Sequence, residues 1–297
     1  MRRTHPAIPL AVACLGIAIF TLMDAVMKGL SLVIGAYCAM VWRTVASLPV
    51  TGLLLIGRNT AWPARSVLAL HLKRGAVTAV SAIGYFYGLT KLPMAEGIAL
   101  SFISPLVALY CSAMLLGERI GVRTILASLL GLAGVGVLVA SRLTGQVEAG
   151  AVGGAAAILG AAAIYGYGLT LLRRQAQAAG PLEVAFFQNA TSLLWLLPLA
   201  PWLAPMPGLV HWPMIVLGGL LAQTSVFLLA WAYARAEAKT LIPVEYTAFL
   251  WSALFGALMF GETLTPIILV GAALIVAGCL IAAFAGRAEP NAAEVSL

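Results

Sequence analysis

Asp24 and Lys28 stand four residues apart in an otherwise apolar run. On a helix that spacing puts both on one face. The next apolar run holds Arg43, within Met40-Val41-Trp42-Arg43-Thr44. Its guanidinium stays charged at any working pH. A further apolar stretch holds Glu245, two residues after Pro243 and next to Tyr246. An ionisable group inside a membrane helix costs roughly 2.5–3.5 kcal/mol on insertion scales, so it usually faces a partner or a wet cavity. Asp24 and Lys28 therefore read either as a charged lining or as an interfacial pair whose lysine reaches the headgroups. Arg43 reads either as a clamp that joins two helices through Asp24 or as a receptor for an anionic group. Glu245 is the sharpest candidate. A carboxyl there is costly to ionise, which suits proton coupling or ammonium binding; the bland alternative is a glutamate at a helix end that meets water. For Glu96, at the start of its run, the bland reading is stronger.

Aromatic residues recur in close pairs: Tyr85 and Tyr87, Tyr165 and Tyr167, Trp231 and Tyr233. An offset of 146 superposes Tyr85 on Trp231 and Tyr87 on Tyr233. Such a set makes either a wall that stacks on a flat or cationic solute or a belt at the membrane interface. Residues i and i+2 point to different sides of a helix, so at most one of each pair faces a cavity squarely.

The elements that position these residues follow from composition. The chain is 62% hydrophobic and 9% charged, with a mean hydropathy of +1.03. A soluble domain carries about 25% charged residues, so the solvent here is a lipid bilayer. The net charge of +7 then reports loop orientation rather than nucleic-acid binding. Cys14, Cys38, Cys111 and Cys279 lie singly in apolar runs, and His5, His71 and His211 fall at run ends. Neither set has a metal or disulfide spacing. Gly131, Gly134 and Gly136 follow no strand, so they are not a nucleotide loop. No cofactor, metal or ATPase motif is expected.

Ten runs approach the roughly 20 residues that a span needs: 7–28, 35–56, 72–90, 94–116, 121–140, 150–172, 182–203, 212–233, 240–260 and 265–286. They are read as helices, because open sheet edges cannot cross lipid. Thr265-Pro266 supplies a capping hydroxyl and a proline at the first helical position of the last run. The glycines and alanines of 150–163 suit close helix packing. With the N-terminus inside, that side collects Arg2, Arg3, Arg58, Arg65, Lys73, Arg74, Arg119, Arg123, Arg173, Arg174, Arg235, Lys239 and Arg287; the other side holds Lys28, Lys91 and Arg142. This bias predicts two cytoplasmic termini and an even number of spans.

Gly117-Glu118 returns 144 residues later as Gly261-Glu262, each between two apolar runs. The self-match suggests a duplication, with halves 1–145 and 146–297 of five helices each. An odd number of helices inverts one half against the other, as in secondary transporters. Each glutamate is then a structural corner that favours the N-terminal end of the following helix. The fold class predicted is an all-α membrane protein of ten transmembrane helices in two inverted five-helix repeats.

The twin Gly-Glu motifs, the run Pro93-Met94-Ala95-Glu96-Gly97 leading to Ser104-Pro105-Leu106, and Pro243-Val244-Glu245-Tyr246-Thr247-Ala248 resemble ten-helix EamA-type members of the drug/metabolite transporter superfamily. The resemblance spans about Ile8 to Ala285. One departure is Phe249, which stands where the first half has Pro105. The resemblance implies a bacterial inner-membrane carrier working by alternating access on a small polar or zwitterionic metabolite, amino-acid-like, S-adenosylmethionine-like or flavin-like. Proton coupling and a homodimer are compatible with it. The expected binding residues are Asp24, Arg43, Tyr85, Tyr87, Trp231, Tyr233, Glu245 and Tyr246, while Gly117, Glu118, Gly261 and Glu262 are structural. Rival readings are a channel, which would need a filter-like ring of polar loops, and a membrane-embedded enzyme, which would need a catalytic cluster at one face. The sequence has neither.

Overall fold

The computed structural model describes residues 7–56, 62–116, 122–144, 150–233 and 244–285. Among these residues every regular element is helical. The helices are α1 (Ala7–Ile34), α2 (Ala36–Ile56), α3 (Arg65–Leu89), α4 (Met94–Ser101), α5 (Ser104–Leu116), α6 (Val122–Thr144), α7 (Ala151–Ala178), α8 (Pro181–Leu196), the short α9 (Ala200–Leu203), α10 (Trp212–Tyr233), α11 (Ala248–Phe260) and α12 (Pro266–Ala285). Five stretches are long and apolar enough to cross a membrane: Ile8–Ile34, Arg65–Leu89, Ala151–Leu172, Leu182–Leu203 and Leu209–Leu229.

Two apolar runs are broken for local reasons. Between α4 and α5 the chain turns at Phe102-Ile103, just before Pro105. Proline has no N–H to offer the carbonyl four residues back, which belongs to Ser101. The Ser104 hydroxyl donates to that carbonyl instead, at 2.6 Å. The run after α8 tightens into a 3₁₀ turn at Leu197–Leu199, around Pro198. At the other extreme α12 starts as its sequence suggests: Pro266 is its first residue, and the Ile268 N–H points to Thr265 Oγ1 at 3.4 Å.

The most extensive helix pairings are α6 with α12, α3 with α7, and α1 with α10. Exchanging the two halves of the chain maps these pairings onto one another. Thus α3·α7 corresponds to α10·α1, α3·α8 to α10·α2, and α4–α5 on α7 to α11 on α1, while α2·α8, α4·α11 and α6·α12 map onto themselves. Two bundles result, each built from both halves: α3, α4, α5, α7 and α8 in one, α1, α2, α10 and α11 in the other. Glycines set the closest approaches. A Cβ on Gly88 of α3 would lie 2.7 Å from the Gly154 carbonyl of α7, and one on Gly134 of α6 would lie 2.6 Å from the Gly271 carbonyl of α12. Gly134 thus serves packing, as does the small-residue face of α7.

Candidate functional site

Asp24 is buried on α1, and the Tyr85 hydroxyl of α3 donates to its Oδ2 at 3.1 Å. Arg43 of α2 lies within electrostatic reach of the same carboxylate. The guanidinium is poorly satisfied. Among the described residues its hydrogen-bond contact is Nη1 with the Met23 sulfur at 3.8 Å, and its buried Nε has no partner. Unpaired buried donors cost about 1–3 kcal/mol, so this group is poised for an oxygen-bearing ligand. Three helices therefore bring together Asp24, Arg43 and Tyr85.

Tyr165 extends the site. It is exposed, yet its phenol lies within electrostatic reach of Asp24 on α1, Arg74 on α3 and Glu245 before α11. Its ring thus lies near charged groups that come from both bundles. Glu245 is exposed in that setting. Carboxylates, guanidinium groups and two tyrosine rings are thus brought within electrostatic reach of one another, a chemistry suited to a solute bearing both charges and a flat or polar body.

Other expectations fall elsewhere. Tyr87 is exposed and points towards Lys91, whose Nζ lies 5.9 Å from its ring centroid; it sits two residues from Tyr85 and therefore on another side of α3. Trp231 packs in a small apolar cluster with Ala13, Ile17 and Val244. Tyr246 rests edge-on against Phe102, with centroids 5.1 Å apart, in the main apolar core. The Tyr233 side chain and the Gly117-Glu118 corner lie outside the described residues. An aromatic wall shared by the third helix of each half is thus not what Tyr85 and Trp231 build.

Arg74 and His71 are corrections of another kind. The sequence places His71 at the edge of the run 72–90 and Arg74 just inside it, but α3 begins at Arg65 and encloses both well within the helix. His71 is fully buried and stacks on Phe187, with centroids 4.7 Å apart. Arg74 donates to the Gln175 side-chain oxygen at 2.7 Å. That leaves the Gln175 amide nitrogen to donate to His71 Nδ1, also at 2.7 Å. The other ring nitrogen, Nε2, then donates to Glu183 at 3.3 Å. Amphipathic spacing did not reveal this chain, since its members come from α3, α7 and α8.

Lys28 does not reach the headgroups. It is buried and ion-paired with Glu262, 234 residues away. Glu262 gets there through its own motif. Gly261 adopts the left-handed conformation (φ 65°) at the end of α11, which glycine takes without strain. The chain folds back, and the Glu262 N–H donates to the Gly256 carbonyl at 3.1 Å. The second carboxylate oxygen accepts the Met94 N–H at 2.7 Å, at the start of α4. Glu262 therefore serves the N-terminal end of α4, in the other half of the chain, rather than that of α12.

The EamA-like transporter family matches residues 7–140 and again 152–284. The pseudopaline exporter CntI of Pseudomonas aeruginosa (strain UCBPP-PA14) is 25% identical over 264 residues, covering 88% of this chain and 90% of that protein. A riboflavin transporter of Brucella anthropi is 25% identical over 249 residues, covering 80% and 84%. An uncharacterized transporter of Helicobacter pylori (strain ATCC 700392 / 26695) is 29% identical over 220 residues, covering 70% and 72%. A crystal structure of a protein 21% identical to this chain superposes with a TM-score of 0.61 over 95% of this chain and 98% of that one, a likeness of fold. Apolar helices and transporter relatives together make this a multi-pass membrane protein. With a tandem match over nearly its whole length and a packing pattern that repeats between its halves, the chain belongs to the EamA-like transporter family.

Proposed function

We propose that this protein is a secondary carrier, not an enzyme, that moves a small polar or zwitterionic metabolite across the bacterial inner membrane by alternating access. It spans the membrane with ten helices as two inverted repeats, 1–145 and 146–297, and both termini are cytoplasmic. The start of α4 lies beside the end of α11, its counterpart in the second half, and this antiparallel meeting supports the inversion.

The observation that carries the reading is the convergence of Asp24, Arg43, Tyr85, Tyr165 and Glu245 from both halves. Arg43 receives the anionic group of the solute, Asp24 the cationic group, and the tyrosines its body. Relatives named for riboflavin and pseudopaline support an organic solute, and the amino-acid-like, S-adenosylmethionine-like and flavin-like classes remain the ones to test. Glu245 is the proton-coupling candidate.

Metabolite profiles of cells and medium, with and without the protein, supply substrate and direction. With that solute in proteoliposomes, Glu245→Gln abolishes the pH dependence of transport while the protein stays in the membrane. Identical pH profiles for wild type and variant overturn the role of Glu245. No solute differing between the two cell lines overturns the carrier reading.

A further inference from the structure

We infer that Lys28 and Glu262 form a clamp that shuts one end of the central space, and that it must release for that end to open. The inference rests on the alternating-access reading above.

The two bundles meet on two sides. Along one side α2 and α8 touch at both ends: the Tyr37 hydroxyl donates to the Leu196 carbonyl, and Gly52 faces Phe186. That seam can persist while the bundles rock. The other side is α4 against α11, and Lys28 and Glu262 fasten it at the start of α4. Lys28 and Glu262 both belong to the bundle of α1 and α11. Their ion pair grips the backbone of the opposite bundle with two arms. Lys28 Nζ donates to the Leu92 carbonyl at 2.7 Å, and Glu262 Oε2 accepts the Met94 N–H at 2.7 Å. The Phe260 ring lies 4.9 Å from the ammonium.

Three further features place this grip at a closure. Leu89, Leu92, Met94 and Met27 around it are buried. Lys28 stands one helical turn beyond Asp24, so the clamp lies between the site and that end of the bundle. At the far side of the site, Tyr165 and Glu245 are exposed. The side chains are thus covered on the clamp side and exposed on the other.

Separating α4 from α11 breaks both arms at once, and each is a charge-assisted hydrogen bond. The pair itself stays whole within one bundle, so neither charge is stranded when the end opens. This economy distinguishes a releasable clamp from a bridge whose two charges sit on opposite bundles.

The test uses the full-length protein in lipid nanodiscs with spin labels at Val33, beyond the clamp on α1, and Lys91, before α4. Both positions are exposed. Electron–electron distance measurements on otherwise wild-type protein show a dominant short distance. Glu262→Gln, which keeps the shape but loses the charge, shifts the ratio towards longer distances by about tenfold or more, the value expected for lost charged hydrogen bonds. The double variant Lys28→Met/Glu262→Gln leaves no unpaired buried charge and so keeps the fold; it shows the same shift. Unchanged distances in a folded, monodisperse double variant overturn the clamp. That result leaves the carrier reading intact, whereas a wild type that moves no amphoteric solute removes the carrier reading and leaves the distances readable.

Discussion

At one end of the molecule two opposite charges bind each other and hold a backbone that belongs to the opposite bundle. At the other end His71, Gln175, Arg74 and Glu183 form a chain of side-chain hydrogen bonds among α3, α7 and α8, which all belong to one bundle. Thr191 adds a bond to the His71 carbonyl at 3.1 Å, and Trp195 one to the Leu72 carbonyl at 2.9 Å. Both sets are polar and largely buried. What separates them is the boundary that each one crosses. Bonds inside a bundle can be kept through a transport cycle and so favour stability. On the alternating-access proposal, the bonds between α11 and α4 are the ones remade in each cycle, so they act on the balance between states.

The largest effect expected is at the clamp. Lys28→Met leaves the Glu262 carboxylate buried without its counter-charge and costs about 3–5 kcal/mol, read as a loss of thermal stability in detergent. Adding Glu262→Gln recovers most of it; no recovery would mean that Lys28 stabilises by packing alone. Gly256→Ala tests the same group by shape. Its Cβ would fall on Glu262 Oε2, so it shifts the Val33–Lys91 distance as Glu262→Gln does.

The other end responds differently. Gly75→Ala places a Cβ 2.8 Å from the backbone carbon of Thr191 and costs about 1–3 kcal/mol through overpacking. Gln175→Leu strands His71 Nδ1 and Arg74 at a cost of about 1–3 kcal/mol. Both lower the melting temperature without moving the Val33–Lys91 distance. A distance change in either would erase the distinction between the two ends. The smallest effect is that of Thr265→Ala, three residues past Glu262. It loses a long capping bond, worth about 0.5 kcal/mol, and leaves the distance unchanged, which separates the clamp from the ordinary helix start beside it.

The helical runs, the duplication and the cap at Thr265-Pro266 were legible because each is written in local sequence. Asp24, Arg43 and Glu245 stand out in the sequence because a charge in an apolar run is conspicuous wherever it points. The partner of Lys28 was not, since the nearest carboxylate in sequence, Asp24, sits a turn away on its own helix, while the true partner arrives by tertiary packing. His71 was hidden by a span boundary placed seven residues late, since α3 starts at Arg65, and Arg74 lay inside the expected run but its partner Gln175 arrives only by tertiary packing. The aromatic wall failed for a geometric reason. Tyr85 bonds Asp24 and rests against Phe86, while Trp231 packs with Ala13, Ile17 and Val244, so the two match in sequence but sit in different surroundings.

The exchange of helices between halves also bears on how the protein is made. When α3 enters the bilayer its glycine-lined face has no neighbour, because α7 has yet to be synthesised. Lys28 waits longest. Its counter-charge lies 234 residues downstream, which at 5–20 residues per second is a delay of roughly 10–50 s. During that interval the nearest carboxylate is Asp24, one turn away on the same helix. The ion pair proposed to shut one end of the protein is also among the last contacts its biogenesis can form, so a chain that stops before Glu262 leaves that lysine without its partner.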